Sequence, residues 1–393
     1  GKHRLNFKVH NQATPPALYV SGETIRSNAT WLATYEDKIW IDENGVAHGS
    51  GIYVPAATWC FDSPDTPPSK YRLERKEQRP VTTDTTGMGM LYDFGRETFG
   101  YLRFKHATGN GHLYIYYGES CEEALDKEHC ETLDRIEVST KASQEIMTQV
   151  SKAFRYVYVE IDGDLSYCDL TMDYEYAPFD TRRSGSFRCS DELLNKIWEV
   201  GAYTMDLTTR EFFVDGIKRD RWTWSGDAIQ SYLMNYYLRF DTECVKRTIR
   251  QLRGKDPVTA HINTIMDYTF YWFKSVYDYY MYTGDIAFVR EIYPRMQTMM
   301  QYVLSRTNAD GMAEGKPDDW IFVDWVDFPM HKRGTLCFEQ ILLCKSLETM
   351  QLCSALLRDN MQENPPQGSI TAEEYAAEAE RYHEQAKALR DKL

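Results

Sequence analysis

Asp215-Gly216-Ile217-Lys218-Arg219-Asp220-Arg221-Trp222-Thr223-Trp224-Ser225-Gly226-Asp227 is the stretch on which the reading of this chain turns. Charge and bulky aromatics alternate in it without a helical or strand period, so it reads as a site rather than as the face of either element. Ser225 then offers an N-cap, and Ile229, Leu233, Tyr236 and Tyr237 follow at positions that suit a helix. The charged run is therefore a loop entering a helix N-terminus, where its three acids shift one another's pKa if they sit close together.

The order Asp215, Arg219 followed directly by an acid, Trp224 and a closing Asp227 resembles the signature of the bacterial α-L-rhamnosidases, inverting glycoside hydrolases built on an (α/α)6 barrel. The family usually carries Glu after the arginine; this chain has Asp220, one methylene shorter and still a carboxylic acid. The resemblance implies Asp220 as the general acid, with Asp215, Arg219, Trp224 and Asp227 holding the sugar. It also implies a general base, a Glu on a late barrel loop beyond Leu393, so no residue is assigned to that role. In such a reaction a second carboxylate activates water on the opposite ring face, roughly 6.5–9.5 Å from the acid.

Read without the resemblance, Asp and Arg at this spacing also suit a structural ion-pair network. Arg219 and Arg221 would depress the pKa of Asp220 if they pointed at it. Adjacent residues of an extended loop point to different sides, which leaves Asp220 free to face Asp215 and Asp227.

The same residue types recur in Asp318-Asp319-Trp320-Ile321-Phe322-Val323-Asp324-Trp325. Carboxylates accept from sugar hydroxyls while indoles pack on the ring, and the resemblance places an Asp-Trp loop near the substrate here. Asp324 and Trp325 are accordingly candidates for binding, Asp319 and Trp320 weaker ones, and a capped turn with a buried Trp is the plainer alternative. Asp267, in Asp267-Tyr268 shortly after His261-Ile262-Asn263, suits an N-cap better than a ligand. His261 and His331 carry no specific signal. The acids lack calcium-loop spacing and the histidines lack helical pairing, so neither a metal site nor a cofactor is expected.

Upstream, short β-branched and aromatic runs are separated by turn signals. Trp40 to Val46, with Asn44-Gly45 inside, reads as a hairpin. The Pro-rich run Ser63 to Ser69 separates a partial β-sandwich, residues 1–68, from a second at 69–180. In the second, Leu91-Tyr92-Asp93-Phe94-Gly95, Gly100 to Phe104, Gly111 to Glu119 and Phe154 to Ile161 argue a sandwich. Several of these runs also resemble the jelly-roll domain that precedes the barrel in the rhamnosidases.

Near Ser190 the period changes to 3.6. Ser190 reads as an N-cap, and Leu194, Ile197, Trp198, Gly201 and Met205 make one face. Further helices are expected after Thr242 up to Gly254, from Asp267 to Thr283, from Asp285 with a break at Pro294, from Thr335 to Arg358, and after the capping box at Thr371. Residues 181–393 are thus all-α, with about seven helices where a closed six-hairpin barrel has twelve. The expectation is an amino-terminal portion of a longer enzyme, holding the first half of the barrel and inactive alone.

Composition narrows the classes. A net charge of −14 without a basic run argues against nucleic acid as partner. Aromatic content of 14 %, led by 28 Tyr, suits sugar faces as well as cores. Nine cysteines without paired spacing read as mostly free thiols. The chain has no apolar run of membrane-spanning length; it opens on Gly1, with neither an initiator Met nor a signal peptide, so the start of the gene product is not in view and the compartment is unknown, a periplasmic or extracellular location being slightly favoured over the cytoplasm. The implied partner is a rhamnose-containing glycoside, oligosaccharide or polysaccharide. Competing readings are an α/α-barrel hydrolase for another sugar, such as a glucosidase or an unsaturated glucuronyl hydrolase, and a non-catalytic carbohydrate-binding protein.

Overall fold

A computed structural model describes residues 73–254, 256–316, 319–323, 332–362 and 370–393, and within the first 72 residues only 5–9, 18–28, 30–33, 40–41, 47–48, 54–55 and 67. Strands Trp40–Ile41 and Ala47–His48 pair antiparallel on either side of the Asn44-Gly45 turn signal, which itself lies outside the described residues. The chain packs as two units, Tyr71–Arg182 with Ser186–Trp222, and Gly1–Lys70 with Arg183–Gly185 and Thr223–Leu393.

The first unit is a curled antiparallel sheet: β1 (Glu74–Gln78), β2 (Thr82–Thr86), β3 (Gly89–Gly118), β4 (Thr132–Met147), β5 (Lys152–Ser166) and β6 (Asp169–Tyr176), with α1 (Cys121–Leu125) after β3. The 30-residue β3 borders β5 twice, so that Glu160 has Gly89 on one side and Tyr114 on the other. It bends where His106 and Gly109 take positive φ, and the register with β5 jumps between Gly100 and Thr108. A Cβ at Gly109 would strike the Asp164 carbonyl, so only glycine fits that bend. Alternate residues face inward: Leu102 and Phe104, Leu113, Ile115 and Tyr117, Val157 and Val159, Leu170 and Met172 form one apolar core. Edge strand β1 is Glu-Arg-Lys-Glu-Gln, charge that discourages pairing with another chain.

Helix α2 (Glu192–Thr208) belongs to this unit. Its cap is Asp191, whose side chain accepts from the Leu193 amide, rather than Ser190. Of the apolar face expected there, Met205 is buried, while Leu194 is 47 % and Ile197 58 % exposed.

The second unit is helical: α3 (Ser225–Leu238), α4 (Thr242–Arg253), α5 (Met266–Thr283), α6 (Ile286–Ser305), α7 (Cys337–Asp359) and α8 (Ala372–Arg390). They form three successive hairpins, in which α5 packs against α3 on one flank and α7 on the other. Phe270, Trp272, Phe273, Val276 and Tyr279 bury α5 on most of its circumference, as a helix surrounded by others must be. In α7, Ser346, Thr349 and Ser354 return their hydroxyls to carbonyls one turn back and so enter the core satisfied. Pro294 does not end α6; the helix runs through it.

The helix starts alternate. In α4, α6 and α8 the cap is a side chain, Asp241, Asp285 and Thr371 respectively, the last completing a capping box with Glu374. In α3, α5 and α7 it is Trp224, Ile265 and Leu336, without a side-chain cap bond. Each of those three helices carries an acid in its first turn, Asp227, Asp267 and Glu339, as α4 and α8 also do with Glu243 and Glu373.

Candidate active site

In the sheet unit, the segment bearing Asp220 is a strap held at both ends. Phe212, Phe213 and Val214 bury its entry. Arg210 locks that entry, donating to the Glu175 carbonyl at 2.6 Å and carboxylate at 2.5 Å while lying over the Phe99 ring. The Asp215 amide donates to the Trp222 carbonyl at 2.9 Å, and Asp215 Oδ1 accepts from the Trp222 amide at 3.1 Å, closing the loop between them. Lys218 Nζ pairs with Glu123 at 2.5 Å, next to Glu97. Burial, reinforced by Glu119, pushes the Glu97 carboxyl up to about 8 against the pull of Lys218.

At the tip, Asp220 is exposed, and it and Arg221 have φ of 54° and 49°. Two successive non-glycine residues in the left-handed region cost on the order of 1–3 kcal/mol each, which the anchored ends offset. Arg219, 78 % exposed along its side chain, lies 3.8 Å from Glu131, and Arg221 donates to the Ser151 carbonyl at 2.6 Å.

In the helical unit the other candidates come together around the start of α5. Asn263, at φ 53°, accepts from the Ser225 amide at 3.0 Å and donates to the Thr223 carbonyl at 3.1 Å, taking over the capping that Ser225 was expected to provide. Ser225 is the first helical residue. Trp224 meets Tyr268 edge to face, with centroids 6.4 Å apart, and Tyr268 meets Phe322 at 5.6 Å. A Cβ on Gly226 would fall 2.6 Å from the Tyr268 ring, so this glycine lets the ring close on α3. The Tyr268 hydroxyl is bonded to exposed Asp227; burial, then the charges of Asp227 and Asp267, push its pKa up. The buried Trp224 indole N–H has no acceptor among the described residues. Three rings in sequence, with an exposed carboxylate and a spare donor beside them, are suited to the apolar face and hydroxyls of a sugar.

The Asp-Trp segment is built onto this helix start. The Met266 amide donates to the Trp320 carbonyl at 2.9 Å, and Asp267 accepts from the amides of Phe322 at 3.2 Å and Val323 at 2.7 Å. Lys332 Nζ donates to the Phe322 carbonyl at 2.6 Å. The Asp319 side chain is buried against Arg306 at 2.8 Å, and Trp320 is exposed. Asp324 and Trp325, like His331, lie outside the described residues.

Trp224 and Asp227 are thus brought together, while Asp215, Arg219 and Asp220 share the strap of the sheet unit. Tyr268, Phe322, Asn263 and Glu339 are additions. The first three lie within the runs Asp267-Tyr268, Asp318 to Trp325 and His261 to Asn263, whose signal fell on other residues. Glu339 had no signal at all, since a Glu in the first turn of a helix usually faces water.

The model of the bacterial alpha-L-rhamnosidase six-hairpin glycosidase domain matches residues 182–392, more than half of the chain. That of the alpha-rhamnosidase-like bacteroidetes N-terminal domain matches residues 1–159. An α-L-rhamnosidase of Formosa agariphila is 25 % identical over 174 residues, covering 37 % of this chain and 18 % of the relative. Among solved structures, a GH78 family rhamnosidase of Bacillus sp. GL1 superposes with a TM-score of 0.64 at 22 % identity, over 79 % of this chain and 32 % of that one. A rhamnosidase from Klebsiella oxytoca with rhamnose bound gives 0.62 at 20 %, over 81 % and 70 %. The chain spans less than a fifth of the length of the curated relative it matches. With the six-hairpin domain matched across its helical half, the chain belongs to the bacterial α-L-rhamnosidase family of six-hairpin glycosidases.

Proposed function

We propose that the protein is a glycoside hydrolase that releases terminal α-L-rhamnose with inversion, its three hairpins arranged as in an (α/α)6 barrel and its curled sheet as in a jelly roll. The observation that carries the reading is Asp220, an exposed carboxyl at the tip of a strap pinned at both ends, with Arg219 directed to Glu131 and Arg221 to a carbonyl. A proton donor must be accessible, held, and not committed to a neighbouring cation. Asp220 then gives its proton to the leaving glycosidic oxygen, and a water activated by a second carboxylate attacks the opposite ring face. Trp224, Tyr268 and Phe322 pack on the sugar and its methyl group, and Asp227 accepts from a hydroxyl. The relatives' names and the structure with rhamnose bound support rhamnose as the sugar.

Hydrolysis of an aryl α-L-rhamnoside by the full-length gene product, with the first-formed rhamnose of inverted anomeric configuration, is the expected result. Retained configuration overturns the inverting mechanism. Sugar binding without turnover would favour a non-catalytic carbohydrate-binding protein, and turnover of a different glycoside alone would favour another sugar.

A further inference from the structure

Among the described residues, Asp267 and Glu339 are the two acids of the helical unit with no exposed surface, 0 % each, and they lie close enough for the charge of one to act on the other. Their surroundings differ. Asp267 accepts from two consecutive backbone amides, Phe322 and Val323. Glu339 has no hydrogen-bond partner at either oxygen among the described residues. The amides that Asp267 takes belong to a stretch that would not hold its shape alone. Val323 is β-branched, and its φ is +52°. The Phe322 ring closes on Tyr268, the next residue after Asp267.

We propose that Asp267 is a positioning residue for the sugar site: its two amide bonds fasten the Trp320–Val323 segment to the start of α5 and so fix the Phe322 ring against Tyr268. This rests on the sugar-binding reading of Trp224, Tyr268 and Phe322. One charge shared between two amides is what a carboxylate can satisfy and an amide side chain cannot, because Asn offers a single acceptor oxygen and places its own N–H groups against a donor. Glu339 fits the same account. Burial and then the Asp267 charge raise its pKa to about 9, so near neutral pH it carries a proton and does not repel its neighbour.

The test uses the full-length protein, with Asp267→Asn and Glu339→Gln beside wild type. In Asp267→Asn, hydrogen exchange of the Phe322 and Val323 amides is expected to accelerate about 10- to 100-fold, the loss of a charge-assisted bond. The dissociation constant for L-rhamnose and the KM for an aryl rhamnoside should rise about tenfold, with kcat changed less than about threefold. Mere destabilisation would lower the active fraction, and with it the apparent kcat, while leaving KM alone. In Glu339→Gln both the exchange and the rhamnose affinity should stay within about twofold of wild type, since Asp267 keeps its amides.

Unchanged exchange in Asp267→Asn overturns the fastening. Faster exchange with unchanged rhamnose affinity overturns the link to the sugar site. Glu339→Gln loosening the amides as much as Asp267→Asn overturns the assignment of the fastening to Asp267. Failure of wild type to bind L-rhamnose overturns the sugar reading itself, and the exchange result still separates that failure from the other.

Discussion

Glu339 reaches a pKa of about 9 because burial penalises its charged form and Asp267 adds repulsion. In the unfolded chain its pKa returns to the ordinary 4.5. Between those values the folded protein holds a proton that the unfolded chain releases. Stability therefore falls as pH rises through that window, by at most about 1.4 kcal/mol per pH unit from this group. Glu339→Gln removes the titration. It should match wild type within about 1 kcal/mol near pH 5 and exceed it by about 1–3 kcal/mol at pH 8, read from urea midpoints at the two pH values. A constant difference at both would show that Glu339 ionises in the folded protein as it does in water. Asp220 is the opposite case, an exposed acid whose proposed role is chemical. Asp220→Asn should slow hydrolysis of rhamnosides with poor leaving groups by about 10² to 10⁴ and of an activated aryl rhamnoside much less. Equal losses on both, with lowered stability, would make Asp220 a structural partner of its neighbours.

At the scale of elements, the strap depends on its entry and the hairpins depend on their caps. Arg210 is buried, and its guanidinium serves both the carbonyl and the carboxylate of Glu175, which also receives Arg75 at 3.0 Å. Removing one partner of a buried pair strands the other. Arg210→Met is therefore expected to cost about 3–5 kcal/mol in the sheet unit, seen as a fall in Tm. A change below about 1 kcal/mol would mean that the aromatic contact with Phe99 suffices. The helix starts separate by role. Asp241→Ala and Asp285→Ala each remove a side-chain cap and should cost about 1 kcal/mol with rhamnose affinity intact, whereas the starts of α3 and α5 are held by Asn263 and by the Trp320 carbonyl. Thermal melts together with rhamnose titrations check both halves of that expectation.

For the molecule as a whole, α2 exposes Leu193, Leu194, Ile197 and Val200 along one side, a face patterned for burial. The 393-residue chain is expected to bind a hydrophobic dye there. Ile197→Lys with Val200→Glu should remove most of that fluorescence while changing stability by less than about 1 kcal/mol, because neither side chain is buried. Undiminished dye binding in the double variant would place the apolar surface elsewhere. Among the described residues no helix is long and apolar enough to cross a membrane.

Local rules were enough wherever the determining groups are neighbours in sequence. The change from period 2 to period 3.6 near Ser190, the stop at Gly254, the left-handed Gly284 and the capping box at Thr371 are set within a turn of the residues concerned. So is the resemblance carried by Asp215 to Asp227, because the spacing of that signature is itself local, and the family match over residues 182–392 agrees with it. The tertiary structure decided what depends on partners distant in the chain. Asn263, thirty-eight residues away, caps α3 in place of Ser225. Pro294 stays inside α6, where the chain on either side is held by buried packing. The face of α2 is open in this chain although its pattern is that of a core helix. Glu339 looks in sequence like an ordinary first-turn acid, yet its buried setting beside Asp267 makes it a neutral one. Sequence pattern records which residues prefer burial or charge, but the free energy of a charge depends on the dielectric and the partners around it, and these exist only once distant segments have met.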